Sequence, residues 1–446
     1  MDTPIADFIE NYISSKSSRL HMPGHKGRGK IEELDITEIA GADSLYEASG
    51  IIAQSEANAG SIFGADTFYT TEGSSHAIRA MLFLAVFQLR KAGEQQVVLA
   101  GRNAHKAFIT AAAALDFDIE WLYPAEETSY LSCKISPEEL DLAIKNCPKL
   151  PSAVYITSPD YLGNISDIKG LAAVCHTYGI PLLVDNAHGA YLKFLEPSIH
   201  PMDLGADMCC DSAHKTLNVL TGGAYLHISK QADPQYKASA KVALALFGST
   251  SPSYLILRSL DEANKILDSS FKEPLAKICR LSGSIKKRFS RNGYIICGDE
   301  PLKITISTKP YGYKGREIAD ILRSHWIECE FCDDDFIVFM LSPANSRSEL
   351  KNLEKILAEL PKKEPIAEPA PASPKGISRL SPRLAIKSPW EEIPVDAAEG
   401  RILHFVGASC PPAVPIVSCG EEITKEAIAC FKYYGISTCK VLKENQ

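Results

Sequence analysis

No apolar run in this 446-residue chain approaches the roughly 20 residues that a membrane span needs. Met1-Asp2-Thr3-Pro4 opens no basic region followed by an apolar stretch, so no secretory signal is expected and the cytoplasm is the default location. Positive charge is in deficit. Lys and Arg number 47 against 55 Asp and Glu, and the net charge of -8 argues against nucleic acid or an anionic membrane as partner. Paired C-x-x-C units are missing. The 13 cysteines are scattered, with a single isolated unit at Cys329-Glu330-Phe331-Cys332, so no metal is expected and reduced, packed thiols are the reading. Cys209-Cys210 are assigned to a buried strand. No internal repeat is visible, and the length calls for two or three domains.

What is present is alternation. Apolar segments at 68–71, 96–100, 119–123, 153–157, 181–185 and 207–211 read as strands. Between them helical patterns recur, including one from about Ser75 to Lys91 and one opened by Ser136-Pro137-Glu138-Glu139 with Ser at the N-cap and Pro at N1. Such alternation predicts an α/β fold with a mostly parallel sheet covered on both faces, whose ligand sits beyond the carboxyl ends of the strands. Thr157, Asp185, His105 and Lys215 all fall at or just past such ends. Beyond Tyr254 the pattern changes to α+β, with Leu302–Ser307 alternating apolar and polar like a half-exposed antiparallel strand. The expected organisation is an N-terminal arm over 1–50, a cofactor-binding large domain over 51–265 and a small α+β domain over 266–360. A Pro-rich linker or covering segment over 361–392 and a C-terminal domain over 393–446 complete it.

One constellation carries chemistry. Asp211-Ser212-Ala213-His214-Lys215-Thr216 follows a strand and precedes Gly222-Gly223. Lys215 reads as the lysine that takes up the aldehyde of pyridoxal 5′-phosphate (PLP). Asp185 ends the apolar strand Leu182-Leu183-Val184, where a carboxylate is costly without a partner; a protonated pyridine nitrogen would be one, and capping a helix is its competing role. Ala187 is placed to pack under the ring, and His105 is the stacking candidate. Ser74 and Ser75, either of which can cap the helix after Gly73, together with Ser212 and His214, are the phosphate candidates. The loop Arg19–Gly29, with its Pro-Gly turn and basic residues, reads as a linker or a binding loop.

These residues resemble the Orn/Lys/Arg decarboxylase family in its short form without an N-terminal wing domain. The resemblance rests on His21-Met22-Pro23-Gly24-His25-Lys26-Gly27, Gly73-Ser74-Ser75, Arg102-Asn103-Ala104-His105-Lys106 and Asp185-Asn186-Ala187-His188-Gly189-Ala190. It extends through Ser212-Ala213-His214-Lys215-Thr216, Ser249-Thr250-Ser251-Pro252-Ser253-Tyr254 and Pro411-Pro412-Ala413-Val414-Pro415. It covers nearly the whole chain. The family often has Thr where Ser74 stands and usually Gly where Ala413 stands.

The resemblance implies a fold-type-I PLP enzyme, the PLP-dependent transferase fold. Lys215 would carry PLP, Asp185 would pair with the ring nitrogen, and His105 would stack on the ring and deliver a proton. His188 would lie beside the cofactor. The phosphate would be held by Ser74, Ser75, Ser212 and His214, and Thr250 or Ser251 would reach a neighbouring subunit's phosphate in a homodimer or higher homo-oligomer. The implied reaction is decarboxylation of arginine, lysine or ornithine to agmatine or a diamine, a step of polyamine biosynthesis. An aminotransferase or lyase of the same fold shares the lysine and the aspartate, and a PLP-binding homologue without turnover is the remaining alternative.

Overall fold

The computed structural model describes residues 1–87, 95–125, 129–407 and 412–444. It divides into two compact units. The first comprises 1–94, 152–158 and 168–274, and the second 95–151, 159–167 and 275–446. Seven strands run along the first half of the chain: β1 (Asp66–Thr70), β2 (Gln96–Gly101), β3 (Phe117–Leu122), β4 (Ala153–Thr157), β5 (Leu182–Asp185), β6 (Met208–Asp211) and β7 (Ala224–Ile228).

In the first unit β4, β5 and β6 are parallel neighbours, then β7 and β1 follow antiparallel. All of β5, β6 and β7 is buried, in keeping with their mainly apolar residues. The antiparallel edge has a local cause. The segment 212–223 between β6 and β7 holds only the one-turn helix Ala213–Thr216 and no helix long enough to cross the sheet, so the strand returns beside its predecessor. Helix Ser74–Phe87 covers this sheet with a nearly all-apolar face. The part of its expected run at 88–91 lies outside the described residues. The N-terminal helix Pro4–Ser14 is anchored by Asp261, whose carboxylate accepts the Ile5 and Ala6 N–H groups at 2.9 and 3.0 Å. In the loop after it, Arg19 donates to the Glu33 carbonyl at 2.7 Å and His25 meets Asp35 at 3.2 Å.

In the second unit β2 and β3 are a parallel pair. A four-stranded antiparallel sheet follows, in the order β10 (Phe331–Cys332), β11 (Phe336–Met340), β9 (Lys303–Ser307), β8 (Ile295–Cys297). The expectation of a half-exposed strand at 302–307 is overturned, because four of the five residues of β9 are buried. The polar positions are absorbed by partners. Lys303 Nζ sits 2.9 Å from Glu300 and donates to the Asp160 carbonyl at 2.9 Å. The Pro-rich stretch is a covering segment. Tyr311 and Tyr313 donate to the carbonyls of Leu360 and Pro361, Lys309 donates to the Glu368 carbonyl, and Lys363 lies over the Tyr313 ring. Of the cysteines, twelve among the described residues are free thiols, and Cys329 and Cys332 are half-buried, not core.

Arg102 and Glu421 form a buried pair inside this unit. The guanidinium meets Glu421 at 2.8 Å and the Ile416 carbonyl at 2.9 Å, and it stacks over Trp121. Removing one member strands a charge, so Glu421→Ala is expected to lower the unfolding free energy by about 3–5 kcal/mol. Urea denaturation reads the loss, and Arg102→Met added to Glu421→Ala is expected to recover part of it. Ala413 has φ +54°, a left-handed conformation that glycine adopts without strain, and its carbonyl accepts the Lys106 N–H at 2.8 Å. The left-handed turn is therefore adopted here despite the Cβ. Pro411, beside it, lies outside the described residues.

Candidate active site

The first unit gathers most of the residues that the sequence singles out. β4, β5 and β6 end at one edge because they are parallel, and this places Thr157, Asp185 and Asp211 together there. Asp185 is 2% exposed. Its carboxylate accepts Tyr155 O–H at 2.9 Å, the Ala187 N–H at 3.2 Å and the Cys210 thiol at 3.5 Å. These are all neutral donors, and among the described residues no cation pairs with it. It caps no helix. The next element, a 3-10 turn over Ala190–Phe194, has Gly189 at its N-cap. A buried carboxylate met only by neutral donors suits a cationic ligand atom.

Lys215 lies in the single turn Ala213–Thr216 that follows β6. Its Nζ is 2.8 Å from His188 Nε2, and His188 stands three residues beyond Asp185 in the adjoining loop. Ser212 donates from Oγ to Ser74 Oγ at 2.8 Å. Helix Ser74–Phe87 begins at Ser74, so Gly73 takes the position before it and both serines fall in the first turn rather than at the cap. Gly73 makes this possible with φ +74°, and a Cβ there would meet nothing within 4 Å. Free N–H groups, two hydroxyls and open space at the positive end of a 14-residue helix suit a phosphate. Gly73 N–H also donates to the Gly222 carbonyl at 2.8 Å, and a Cβ on Gly222 would come within 2.7 Å of the Thr71 carbonyl, so the glycine pair lets these two loops touch. His214 turns back on the same segment, its Nδ1 3.1 Å from the Gly223 carbonyl.

Other expected residues stand differently. Ala187 is half-buried and spends its N–H on Asp185. Thr250 and Ser251 are exposed, just ahead of helix Tyr254–Ser269. His105 belongs to the second unit, where it is the N-cap of helix Lys106–Leu115 and its Nδ1 accepts the Ala107 N–H at 3.1 Å.

Three partners escape a reading by sequence. Tyr155 sits on β4 two residues before its end, on the face that reaches Asp185; strand parity was the available signal. Cys210 meets Asp185 from β6, and Asn186 donates to Asp211 at 2.6 Å. Both depend on the β5–β6 register, which sequence does not supply. An electron sink of the PLP kind needs an amine, a carboxylate for the ring nitrogen and an anion seat, and the first unit holds Lys215, the buried Asp185 and the start of helix Ser74–Phe87.

Comparison with known proteins gives the family and the fold. Residues 3–299 match the family model for the Orn/Lys/Arg decarboxylase major domain. The arginine decarboxylase of Bacillus subtilis (strain 168) is 28% identical over 96% of this chain and 92% of its own length. That of Bacillus anthracis is 28% identical over 95% of this chain and 91% of its own. The lysine decarboxylase of Francisella novicida superposes with a TM-score of 0.79 at 17% identity, covering 99% of this chain and 81% of that one. An alanine–glyoxylate aminotransferase from Nostoc sp. shares the fold at a TM-score of 0.56 and 17% identity, over 69% of this chain and 86% of its own. The parallel sheet, the lysine turn after β6 and the family match converge: this chain belongs to the Orn/Lys/Arg decarboxylases, PLP-dependent carboxy-lyases of fold type I.

Proposed function

We propose that the protein removes the α-carboxylate of arginine as carbon dioxide and releases agmatine, feeding polyamine synthesis in the cytoplasm. The observation that carries the site assignment is the buried Asp185 carboxylate, held by neutral donors alone, in the loop whose His188 touches Lys215 Nζ. Full-length similarity to proteins named arginine decarboxylase favours arginine over lysine and ornithine.

When bound, PLP supplies an electron sink for the carbanion left by the departing carboxylate. The chain's own residues do the rest. Lys215 would hold the cofactor through its side-chain amine. His188 orients the Lys215 amine and exchanges a proton with it across 2.8 Å. Asp185 would face the ring nitrogen as its counter-charge, and Tyr155 and the Ala187 N–H fix that carboxylate. Ser74, Ser75, Ser212 and His214 seat the phosphate. For His105, assigned to ring stacking and return of a proton to Cα, the family resemblance is the support. Thr250 and Ser251 are assigned to the phosphate of a second subunit in a homodimer, which suits their exposure.

Two measurements follow. Incubation of purified, PLP-saturated protein with arginine, lysine and ornithine, with carbon dioxide and amine both quantified, is expected to yield agmatine at the highest kcat/KM. Transfer of the amino group without carbon dioxide would replace this reading with an aminotransferase. Ser74→Ala and Ser212→Ala each remove one hydroxyl from a charged ligand, worth about 1.5 kcal/mol. Each is expected to raise the Kd for PLP about tenfold by absorbance titration, with kcat at saturating PLP little changed.

A further inference from the structure

We propose that His200, Cys209, Asp211 and His227 form a four-coordinate site for a divalent transition metal, zinc by donor chemistry, at the root of the strand that leads to Lys215. Their spacing in the sequence matches no metal motif, and the fold brings them together. Cys209 and Asp211 alternate on β6 and so share a face. His227 lies directly opposite Cys209 on antiparallel β7. His200 enters from the turn before Pro201–Asp203. One donor atom from each of the four lies within 4.8 Å of all the others, and each residue has 0% exposure.

The distances suit a small cation. His200 Nε2 and His227 Nε2 are 3.0 and 3.2 Å from Asp211 Oδ2. Tetrahedral zinc, with bonds of about 2.0–2.3 Å, sets its donors about 3.3–3.7 Å apart, so modest side-chain adjustments complete the shell. The charges also close. A thiolate and a carboxylate cancel a 2+ ion between two neutral imidazoles, which gives a fully buried site no net charge. A sulfur, two imidazoles and one oxygen exclude magnesium and calcium, which take oxygen shells. An outer shell is present: Thr67 Oγ1 is 2.8 Å from His227 Nδ1, and Asn186 Nδ2 donates to Asp211 Oδ1.

Binding releases one proton per metal, from the Cys209 thiol. Each imidazole shifts its proton from Nε2 to Nδ1. The shift gives up the two Nε2–H bonds to Asp211, which bonds to the metal replace, and the long 3.3 Å contact from the Met202 N–H to His200 Nδ1. Because Asn186 links Asp211 to the loop of Asp185, the ion would tie β6, β7 and that loop into one rigid body.

The test is elemental analysis of the PLP-loaded protein expressed with added zinc, expected to give about one zinc per chain. Cys209→Ala and His227→Ala are each expected to lose it. Cobalt substitution is expected to add ligand-field bands at wavelengths longer than the cofactor's, which Cys209→Ala abolishes. If those variants do not fold, stripped wild-type protein is titrated with zinc against a chromophoric chelator, and one stoichiometric site is expected. Wild-type protein without stoichiometric metal and without such a titratable site, or metal content unchanged in Cys209→Ala, overturns the proposal and leaves a hydrogen-bonded network around Asp211.

Discussion

Lys215→Ala is expected to abolish decarboxylation, with kcat lower by at least about ten-thousand-fold, the scale seen when a covalent participant is removed. The visible absorbance of covalently held PLP is expected to vanish as well. The fold should survive. Lys215 is half-buried in a one-turn helix whose backbone bonds do not involve the side chain, and the proposed phosphate seat at Ser74 and Ser212 is untouched. The variant is therefore expected to bind PLP reversibly through its phosphate. Added alkylamine is expected to restore the absorbance and none of the orientation that His188 imposes. Substantial turnover in Lys215→Ala would move the covalent role to another lysine.

The second large effect is at Asp185. Asp185→Asn keeps the volume and most of the hydrogen bonds. The amide oxygen still accepts from the Ala187 N–H and the Cys210 thiol, and the Tyr155 hydroxyl rotates to accept from the amide nitrogen. What disappears is the negative charge proposed to answer the ring nitrogen. An electrostatic group aimed at charge that develops in the transition state is worth about 4 kcal/mol, so kcat is expected to fall about a thousandfold. KM is expected to change little, since the α-amine and the distal cation bind elsewhere. Asp185→Glu keeps the charge but moves it by one methylene, and it is expected to retain more kcat than Asp185→Asn. Steady-state kinetics on both variants checks the order. A fall confined to KM in Asp185→Asn would place the carboxylate against substrate instead.

Much of this is legible in the sequence. The strands of the parallel sheet announce themselves as continuous apolar runs because both of their faces are covered. The site residues stand where such runs stop, since polar groups tolerate burial only when a ligand or partner answers them. β9 misleads for the opposite reason. Its alternation looked like a wet face, yet Lys303 is neutralised by Glu300 and the Asp160 carbonyl, so both faces are dry. Gly73, not a serine, takes the position before the helix, because its left-handed backbone leaves the serines facing the anion seat. Tyr155, Cys210 and the Asn186–Asp211 link were out of reach because they depend on the register between strands, which periodicity within one strand does not encode. The four residues around Asp211 were hidden in the same way. They combine one residue from a loop, two from β6 and one from the antiparallel return β7, which the alternating pattern did not foretell.

The claim on which the chemistry turns is the covalent attachment of PLP. Borohydride reduction of the PLP-loaded protein, then proteolysis and mass mapping, tests it most directly. The account predicts a single phosphopyridoxyl-modified peptide, with the adduct on Lys215 and none in Lys215→Ala. A modified peptide that maps to another lysine, with Lys215 unmodified, would contradict it.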